Sequence, residues 1–372
     1  MRVQVVDPPA YSPPYDHSLC AALSAAGAEV ELVTSCYLYG PPPAQNGYRV
    51  NEAFYSRSAE RGLDARGRRA YKLAEHLRDM AEYRRHAEDA DVVHWQWFPV
   101  PGADRFLIAP KRPRVFTLHH YLPAEPSRRQ RRAVRRRLES MDAVVMHSEN
   151  GRRRVEEEFG VREGLVEVIP HGALDYLTRQ PDERPLAPEL AAVEGPVVLA
   201  FGIIRPYKGI DVLLRAFREI EGAELWIAGK PMMPKGGMES LRELARQARG
   251  RVRIIDRFIP DAELPALVRR ADFLVLPYRT VEQSGVLYTG LAFGKPMVLS
   301  AVGGFPEVAA HGAARLVQPG DEGELAGAVA ELVASPAERE KLAAKAAEAA
   351  ATHYSWAEIG RRHVELYERL LG

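Results

Sequence analysis

The chain has 372 residues, 46% hydrophobic and 27% charged, which is enough apolar material for two cores in a globular protein. Its 51 Lys and Arg against 50 Asp and Glu leave a formal charge of +1, which argues against bulk nucleic-acid binding. Two cysteines, Cys20 and Cys36, make neither a disulfide framework nor a zinc cluster and fit a reducing compartment. Met1-Arg2 runs straight into an apolar segment with no signal peptide, and no apolar run approaches the roughly 20 residues that span a bilayer. The expected location is cytoplasmic, with peripheral contact at the inner face of a membrane left open.

In chain order, short runs rich in Val, Ile and Leu alternate with longer helical patterns. The first half carries Val3–Asp7, Glu29–Thr34, Asp91–His94, Arg114–His119, Asp142–Ser148 and Val166–Pro170. The second carries Pro196–Gly202, Glu224–Gly229, Val252–Asp256, Asp272–Pro277, Pro296–Ser300 and Ala314–Val317. Such runs suit parallel strands covered by helices on both faces, so each half reads as an α/β, Rossmann-like domain. Asp16 is the expected cap of a first helix that Gly27 ends. Ile210, Leu213, Leu214, Phe217 and Ile220 make an apolar stripe at helical spacing, and a last helix runs from about Trp356 to Leu371. The Pro-rich, charged stretch between the halves predicts a linker over 176–195, after a domain of residues 1–175 and before one of 196–355.

Ligands of open α/β sheets bind beyond the carboxyl ends of the strands. After Val197–Phe201 comes Gly202-Ile203-Ile204-Arg205-Pro206-Tyr207-Lys208-Gly209. Arg205 and Lys208 suit the oxygens of a diphosphate, and the two glycines let backbone bend and approach it. An isolated Arg and Lys would more often belong to a solvated loop. A second segment changes that balance: Tyr278-Arg279-Thr280-Val281-Glu282-Gln283-Ser284-Gly285-Val286-Leu287 opens a helix, and Gly294-Lys295-Pro296 follows it. The N–H groups near Ser284, Gly285 and Val286, with the helix dipole, form an anion site. Glu282 is placed for a sugar on that phosphate, although a loop acid and a helix-capping Ser284 are the plainer readings. Base contacts are expected from backbone at Phe258 and Ile259, after another strand of this half.

In the first half, Phe116-Thr117-Leu118-His119 ends a strand, and core packing and a site role for His119 are evenly balanced. His94-Trp95-Gln96-Trp97 ends another, and an indole face stacks on sugar rings as readily as it packs a core. The run Arg128–Leu138 holds seven arginines, Arg128, Arg129, Arg131, Arg132, Arg135, Arg136 and Arg137. It reads first as a solvated helix face and second as a contact for anionic lipid or a lipid-linked phosphate. Asp89-Ala90-Asp91 precedes a strand and reads as surface, so no metal site is expected. No Gly-x-Gly-x-x-Gly follows either leading strand, which argues against a nicotinamide dehydrogenase.

Gly202–Gly209 with its helix, Tyr278–Pro296 and the Gly303-Gly304-Phe305-Pro306-Glu307 turn resemble the retaining glycosyltransferases of family four over nearly the whole chain. The resemblance implies the GT-B fold: two Rossmann-like domains facing across a cleft, with the closing helix, where Trp356 and Tyr367 match, crossing back to the N-terminal domain. It implies transfer of a sugar from a nucleotide diphosphate donor to a glycan, lipid-linked or small-molecule acceptor, with retention and without metal or other cofactor. Arg205 and Lys208 match the residues that hold the donor diphosphate, Glu282 the first glutamate of a spaced pair, and His119 the histidine beside the transferred sugar. The second glutamate is absent, its place falling at Thr289 or Gly290. The first loop, Asp7–Asp16, is bulkier than the Gly pair of many relatives, so Tyr15 and Asp16, with Trp95, Trp97 and His120, are the expected acceptor residues. A sugar phosphorylase or epimerase on the same scaffold, and a binding protein without turnover, are the competing readings.

Overall fold

Strands buried along their whole length need helices on both sides, and the computed structural model of the chain shows how these are supplied. It describes residues 1–37, 46–59, 65–100, 104, 113–119 and 127–372. The chain forms two compact units, Met1–Gly172 with Trp356–Gly372, and Ala173–Ser355. Each holds one parallel sheet.

The sheet of the first unit comprises β1 (Arg2–Asp7), β2 (Glu29–Ser35), β3 (Arg49–Phe54), β4 (Val92–Trp95), β5 (Arg114–Thr117), β6 (Ala143–Met146) and β7 (Val166–Val168), in the order β3-β2-β1-β4-β5-β6-β7. Neighbouring residues of β1 go to opposite cores. Val3 and Val5 pack with α1 (Pro13–Ala25) and the terminal helix, whereas Val6 packs with residues of α2 (Ala65–His86), α3 (Arg128–Glu139) and α4 (Glu149–Phe159). The strand β3 was not expected. It is an edge strand in which only Phe54 is buried, and Arg49-Val50-Asn51-Glu52 offers no apolar run.

Two further expectations are corrected. Asp16 does not cap α1: the helix begins at Pro13 and Asp16 sits inside its first turn. Proline needs no N–H partner there and carries a helix-ready φ, so Pro13-Pro14 start the helix earlier. The stretch expected as a linker carries a 3-10 turn (Asp175–Arg179) and a short helix (Pro188–Ala191), and it belongs to the second unit. Leu177 and Leu190 bury against that unit, which gives the segment apolar anchors that its Pro content obscures.

The second unit repeats the plan with β8 (Val197–Phe201), β9 (Glu224–Ala228), β10 (Val252–Ile255), β11 (Phe273–Leu276), β12 (Met297–Ser300) and β13 (Ala314–Val317), in the order β10-β9-β8-β11-β12-β13. Its helices are α5 (Ile210–Ala216), α6 (Gly237–Arg246), α7 (Leu264–Arg270), α8 (Gly285–Ala292), α9 (Phe305–Ala309), α10 (Glu322–Ala334) and α11 (Pro336–Ala351).

The terminal helix α12 (Trp356–Leu371) returns to the first unit. Gly360 makes this possible, since a Cβ there would lie 2.5 Å from the Ala22 carbonyl oxygen of α1. Polar bonds fix the helix beneath the sheet: His94 Nδ1 lies 2.6 Å from Tyr367 Oη and His94 Nε2 lies 2.7 Å from Thr117 Oγ1.

Burial holds several histidines of this unit neutral. It pushes His171 down to about 3 and His363 down to about 4, and it lowers His94, with neighbouring histidines adding to the effect at His171 and His94. Each contributes stability that is present above the unfolded value of about 6.5 and is lost as pH falls toward the folded one, because only the unfolded chain takes up the proton. Urea midpoints of the first unit should therefore fall between pH 6.5 and 4, and His363→Gln should flatten that fall; an unchanged slope in the variant refutes it.

Candidate active site

In both sheets the strand order reverses once, between β1 and β4 and between β8 and β11. Loops that leave adjacent strands in opposite directions open a crevice at their carboxyl ends. Arg205 and Lys208, Glu282 to Val286, and Trp97 fall at these two points, whereas His119 follows β5 and Phe258 and Ile259 follow β10.

In the second unit, two loops meet above β8 and β11. Gly209 adopts φ +65°, and a Cβ there would stand 1.9 Å from the Pro277 carbonyl oxygen, so only glycine allows the first loop to lie on the second. Arg279 fastens the contact. Its guanidinium donates to Asp211 Oδ1 at 2.8 Å, Asp211 Oδ2 at 2.6 Å and the Pro206 carbonyl at 2.7 Å. Burial pushes the Asp211 carboxyl up, but the hydrogen bonds from Arg279 and Arg215 outweigh it and hold it at about 2. Gly303 does a similar service for the third loop, since a Cβ there would lie 1.9 Å from the Val281 carbonyl oxygen. The Gly303–Glu307 turn thus sits directly on the Glu282 backbone, whose carbonyl accepts from Gly304 N at 3.3 Å.

These contacts converge on Lys208. Its side chain is buried, and Nζ lies 3.5 Å from the Phe201 carbonyl and 5.2 Å from the centre of the Tyr278 ring. A Cβ on Gly202 would be 2.7 Å from Nζ and 3.1 Å from Val286 Cγ2, which places the ammonium beside the first turn of α8. Ser284 precedes that turn without a side-chain capping bond, and its hydroxyl lies 3.4 Å from Tyr278 Oη. The capping role considered for Ser284 is therefore not seen. Gly285 is exposed, and a Cβ there would meet only Leu174 Cδ1, at 3.7 Å. Arg205 is exposed and rests on Met232 Sδ, a weak acceptor, at 3.3 Å. Burial first, and the Arg205 charge second, push the Lys208 ammonium down to about 8.

Glu282 is half-buried in this neighbourhood, Phe258 is exposed and Ile259 half-buried after β10. The place of the missing glutamate is closed. A Cβ on Gly290 would lie 2.7 Å from Met297 Sδ and 2.9 Å from Leu274 Cδ1, and Thr289 is buried with its hydroxyl on the Gly285 carbonyl. Arg279 and Asp211 were not singled out from the sequence. Their spacing in the chain carries no signal, because the pair is made only when β8 and β11 become neighbours.

In the first unit, His119 follows β5 half-buried, with Nε2 3.0 Å from Gln96 Oε1 and its ring stacked on Trp97 at 5.1 Å and 14°. Trp97 is half-buried and donates from Nε1 to Ser12 Oγ at 2.8 Å. Three expected acceptor residues are corrected. Trp95 is sealed in the core between Tyr83 and Phe98 at the last position of β4, whereas Trp97 lies past the end of the strand, in the loop. Tyr15 and Asp16 are buried as well, Tyr15 among the rings of His119, His147, His171 and Trp356. His120 lies outside the described residues. The arginines of α3 are exposed except Arg137, which is half-buried, and Val134 and Leu138 are the buried seam. Asp91 accepts from Arg2 N at 2.7 Å, and Asp89 is exposed. Among the described residues no group of three metal-ligating side chains is found.

A twin-sheet protein with a basic, helix-capped crevice in its second unit belongs to the GT-B class, and solved structures of similar fold agree. Sucrose-phosphate synthase from Thermosynechococcus elongatus superposes with a TM-score of 0.73 at 19% identity, covering 100% of this chain and 99% of that one. Anabaena HepE in complex with UDP-glucose gives 0.70 at 20% identity, covering 100% of both. The Glycosyltransferase Family 4 model matches residues 15–173, and the Glycosyl transferases group 1 model matches 195–335. The chain belongs to glycosyltransferase family four. It is 28% identical over 189 residues to a GDP-mannose:glycolipid 4-beta-D-mannosyltransferase of Xanthomonas campestris, covering 50% of this chain and 49% of that protein. It is 30% identical over 251 residues to a GDP-mannose-dependent alpha-(1-6)-phosphatidylinositol monomannoside mannosyltransferase of Mycolicibacterium smegmatis, covering 63% and 64%. The chain thus matches about half the length of the first of these relatives and less than two thirds of the second.

An ammonium lowered to about 8 loses its charge in the mildly alkaline range. Diphosphate binding should therefore weaken as pH rises through 8 to 9, and Lys208→Arg, whose guanidinium keeps its proton, should carry the affinity to higher pH. Calorimetric titration with GDP checks this; parallel pH curves for the two proteins refute it.

Proposed function

We propose that the protein transfers a hexose from a nucleotide diphosphate sugar to a glycan or lipid-linked acceptor. The observation that carries this is the convergence of Lys208, Arg205 and the uncapped start of α8. Two cations and a set of free-standing backbone donors make a site for a diphosphate and for the charge that builds on it. GDP-mannose is the first donor to try, since the relatives from Xanthomonas campestris and Mycolicibacterium smegmatis are both named for it.

In the reaction the bond from the anomeric carbon to the β-phosphate oxygen breaks, and a bond from that carbon to the acceptor oxygen forms. The acceptor proton leaves to a phosphate oxygen. Negative charge on the departing phosphate is met by the ammonium of Lys208, the guanidinium of Arg205 and the amides of Gly285 and Val286. Because these groups supply the positive charge themselves, the reading includes a metal-independent reaction. Glu282 would orient the donor sugar, and His119 would serve the transferred sugar as the family resemblance implies. With the glutamate site closed at Gly290, ribose is left to groups other than a carboxylate at that position. Retention is part of the proposal; one relative is named for a β-linked and another for an α-linked product, so the anomeric signal of the product decides it.

Gly285→Ala tests the donor site without touching the fold. The methyl group meets only ordinary contact with Leu174, yet it stands where a phosphate would approach. Wild type should gain about 2.7 kcal/mol of stability from the matching nucleotide at 100 times its dissociation constant. The variant should melt at the wild-type temperature alone and lose most of that gain. No nucleotide response in wild type, across GDP, UDP and ADP, refutes the reading.

The acceptor side has a second element. The relatives named above act on a glycolipid and on a phosphatidylinositol mannoside. The exposed arginines of α3, fixed by a Ser127–Gln130 capping box, offer a cationic face for the phosphates of such a surface. No described helix is long and apolar enough to cross a membrane. The protein should float with phosphatidylglycerol vesicles at low salt and detach at high salt, whereas phosphatidylcholine vesicles should not carry it; equal behaviour with both lipids refutes this contact.

A further inference from the structure

A buried ammonium needs partners, and Lys208 has few. Nζ reaches the Phe201 carbonyl only at 3.5 Å, the outer limit of a hydrogen bond. Among the described residues no carboxylate forms an ion pair with it, whereas Arg279 nearby is paired with Asp211. What does meet its tip is the ring of Tyr278, just past β11. Nζ lies over that ring, 5.2 Å from its centre. An ammonium within about 6 Å of a ring centre is attracted by the negative face of the π system.

The ring is held in place from two sides. Tyr278 is 3% exposed. Tyr207, from the loop that carries Lys208, meets it edge on at 5.9 Å and 90°. Phe305, from the Gly303–Glu307 turn, packs on it at 5.5 Å and 47°. The Tyr207 carbonyl accepts from Arg279 N at 2.7 Å, which ties the backbone beside the lysine to the backbone beside the ring. Burial pushes the Tyr278 phenol well above its usual value, so the ring stays neutral where Lys208 titrates. Among the described residues, the charge that acts on the ammonium is Arg205, which opposes it. Tyr207, Lys230, Glu282 and Glu307 are the other titratable side chains of the surrounding loops, with Arg279 and Asp211 engaged on each other.

We propose that Tyr278 is a positioning residue that holds the Lys208 ammonium, by the face of its ring, beside the start of α8. This deepens the functional reading above and rests on it for the identity of the ligand. A carboxylate in the same place would hold the cation more tightly, but its charge would repel a diphosphate. A ring face supports the cation and leaves its charge for the incoming anion. It also gives a direction to an ammonium carried on a flexible four-carbon stem. Tyr278 Oη lies 3.4 Å from Ser284 Oγ, long for a bond between hydroxyls, so the face rather than the phenol does the holding.

The experiment replaces Tyr278 in the full-length protein by phenylalanine, and then by phenylalanines carrying one, two and three fluorine atoms. Fluorine nearly keeps the size of the ring and drains the negative charge from its face. The readout is the pH midpoint of Lys208, followed by NMR of lysine labelled with carbon-13 at Cε and assigned by the signal lost in Lys208→Arg. In wild type the midpoint lies at about 8. Tyr278→Phe should stay close to it. The fluorinated rings should lower it in order, by about one pH unit at the end of the series, because the neutral amine gains little from the face. Tyr278→Leu removes the face, keeps the site apolar and should lower the midpoint as far. The alkaline loss of GDP affinity should move down with the midpoint. A midpoint that fluorination leaves in place or raises, or that Tyr278→Phe lowers as far as three fluorines do, overturns the proposal. The fluorinated series decides the matter even if Tyr278→Leu fails to fold. The midpoint needs no ligand: if the ordered shift appears and no nucleotide binds, the contact stands and the donor reading falls.

Discussion

The protein keeps a positive charge where its surroundings oppose it. Lys208 sits under the start of α8, largely removed from water and beside a second cation, and both facts work against its proton. An anion bound there relieves both at once. Much of the second unit can be understood as the frame that makes this arrangement possible: Gly209 lets the loop after β8 lie against Pro277, where Arg279 with Asp211 pins it, and Gly303 lets a third loop lie against Val281. The frame is rigid where it holds the cation and open where a ligand must enter, at exposed Arg205 and Gly285.

The first unit uses the same strand order for a different surface. Among its described residues, the crevice is lined by rings: Trp97 on His119, and Tyr15 among histidines. Such rings suit the apolar faces of a sugar. On the proposed function, two sheets of one architecture divide the tasks of donor and acceptor by chemistry at corresponding strand ends. This is the sense in which function lies in sites grafted onto a fold.

Much of this was legible in the residues, and what was not has physical causes. The twelve buried strands announced themselves as apolar runs, and Arg205, Lys208 and Glu282 as polar residues after such runs. The edge strand β3 was hidden because an edge needs no apolar run on both faces. Trp95 and Trp97 could not be told apart from the residues alone, since two positions apart they would share one strand face, and what separates them is that β4 stops at Trp95. Asp16 drew notice as a polar residue near a helix start, but its burial depends on Pro13 starting α1 three residues earlier. Arg279 went unremarked because its partner Asp211 becomes its neighbour only when β8 and β11 pair.

The closing helix α12 has a consequence for how the chain is made. The first unit is assembled from two segments, Met1–Gly172 and Trp356–Gly372, that flank the second unit in the chain, with His94 bonded to Tyr367 and Ala22 pressed against Gly360. Until residues 356–371 leave the ribosome, His94 and the hydrophobic floor around Leu19 and Val145 have no cover. The second unit is contiguous and can close first. Synthesis therefore runs through a stage in which the second unit is complete while the first still waits for the sixteen-residue helix α12.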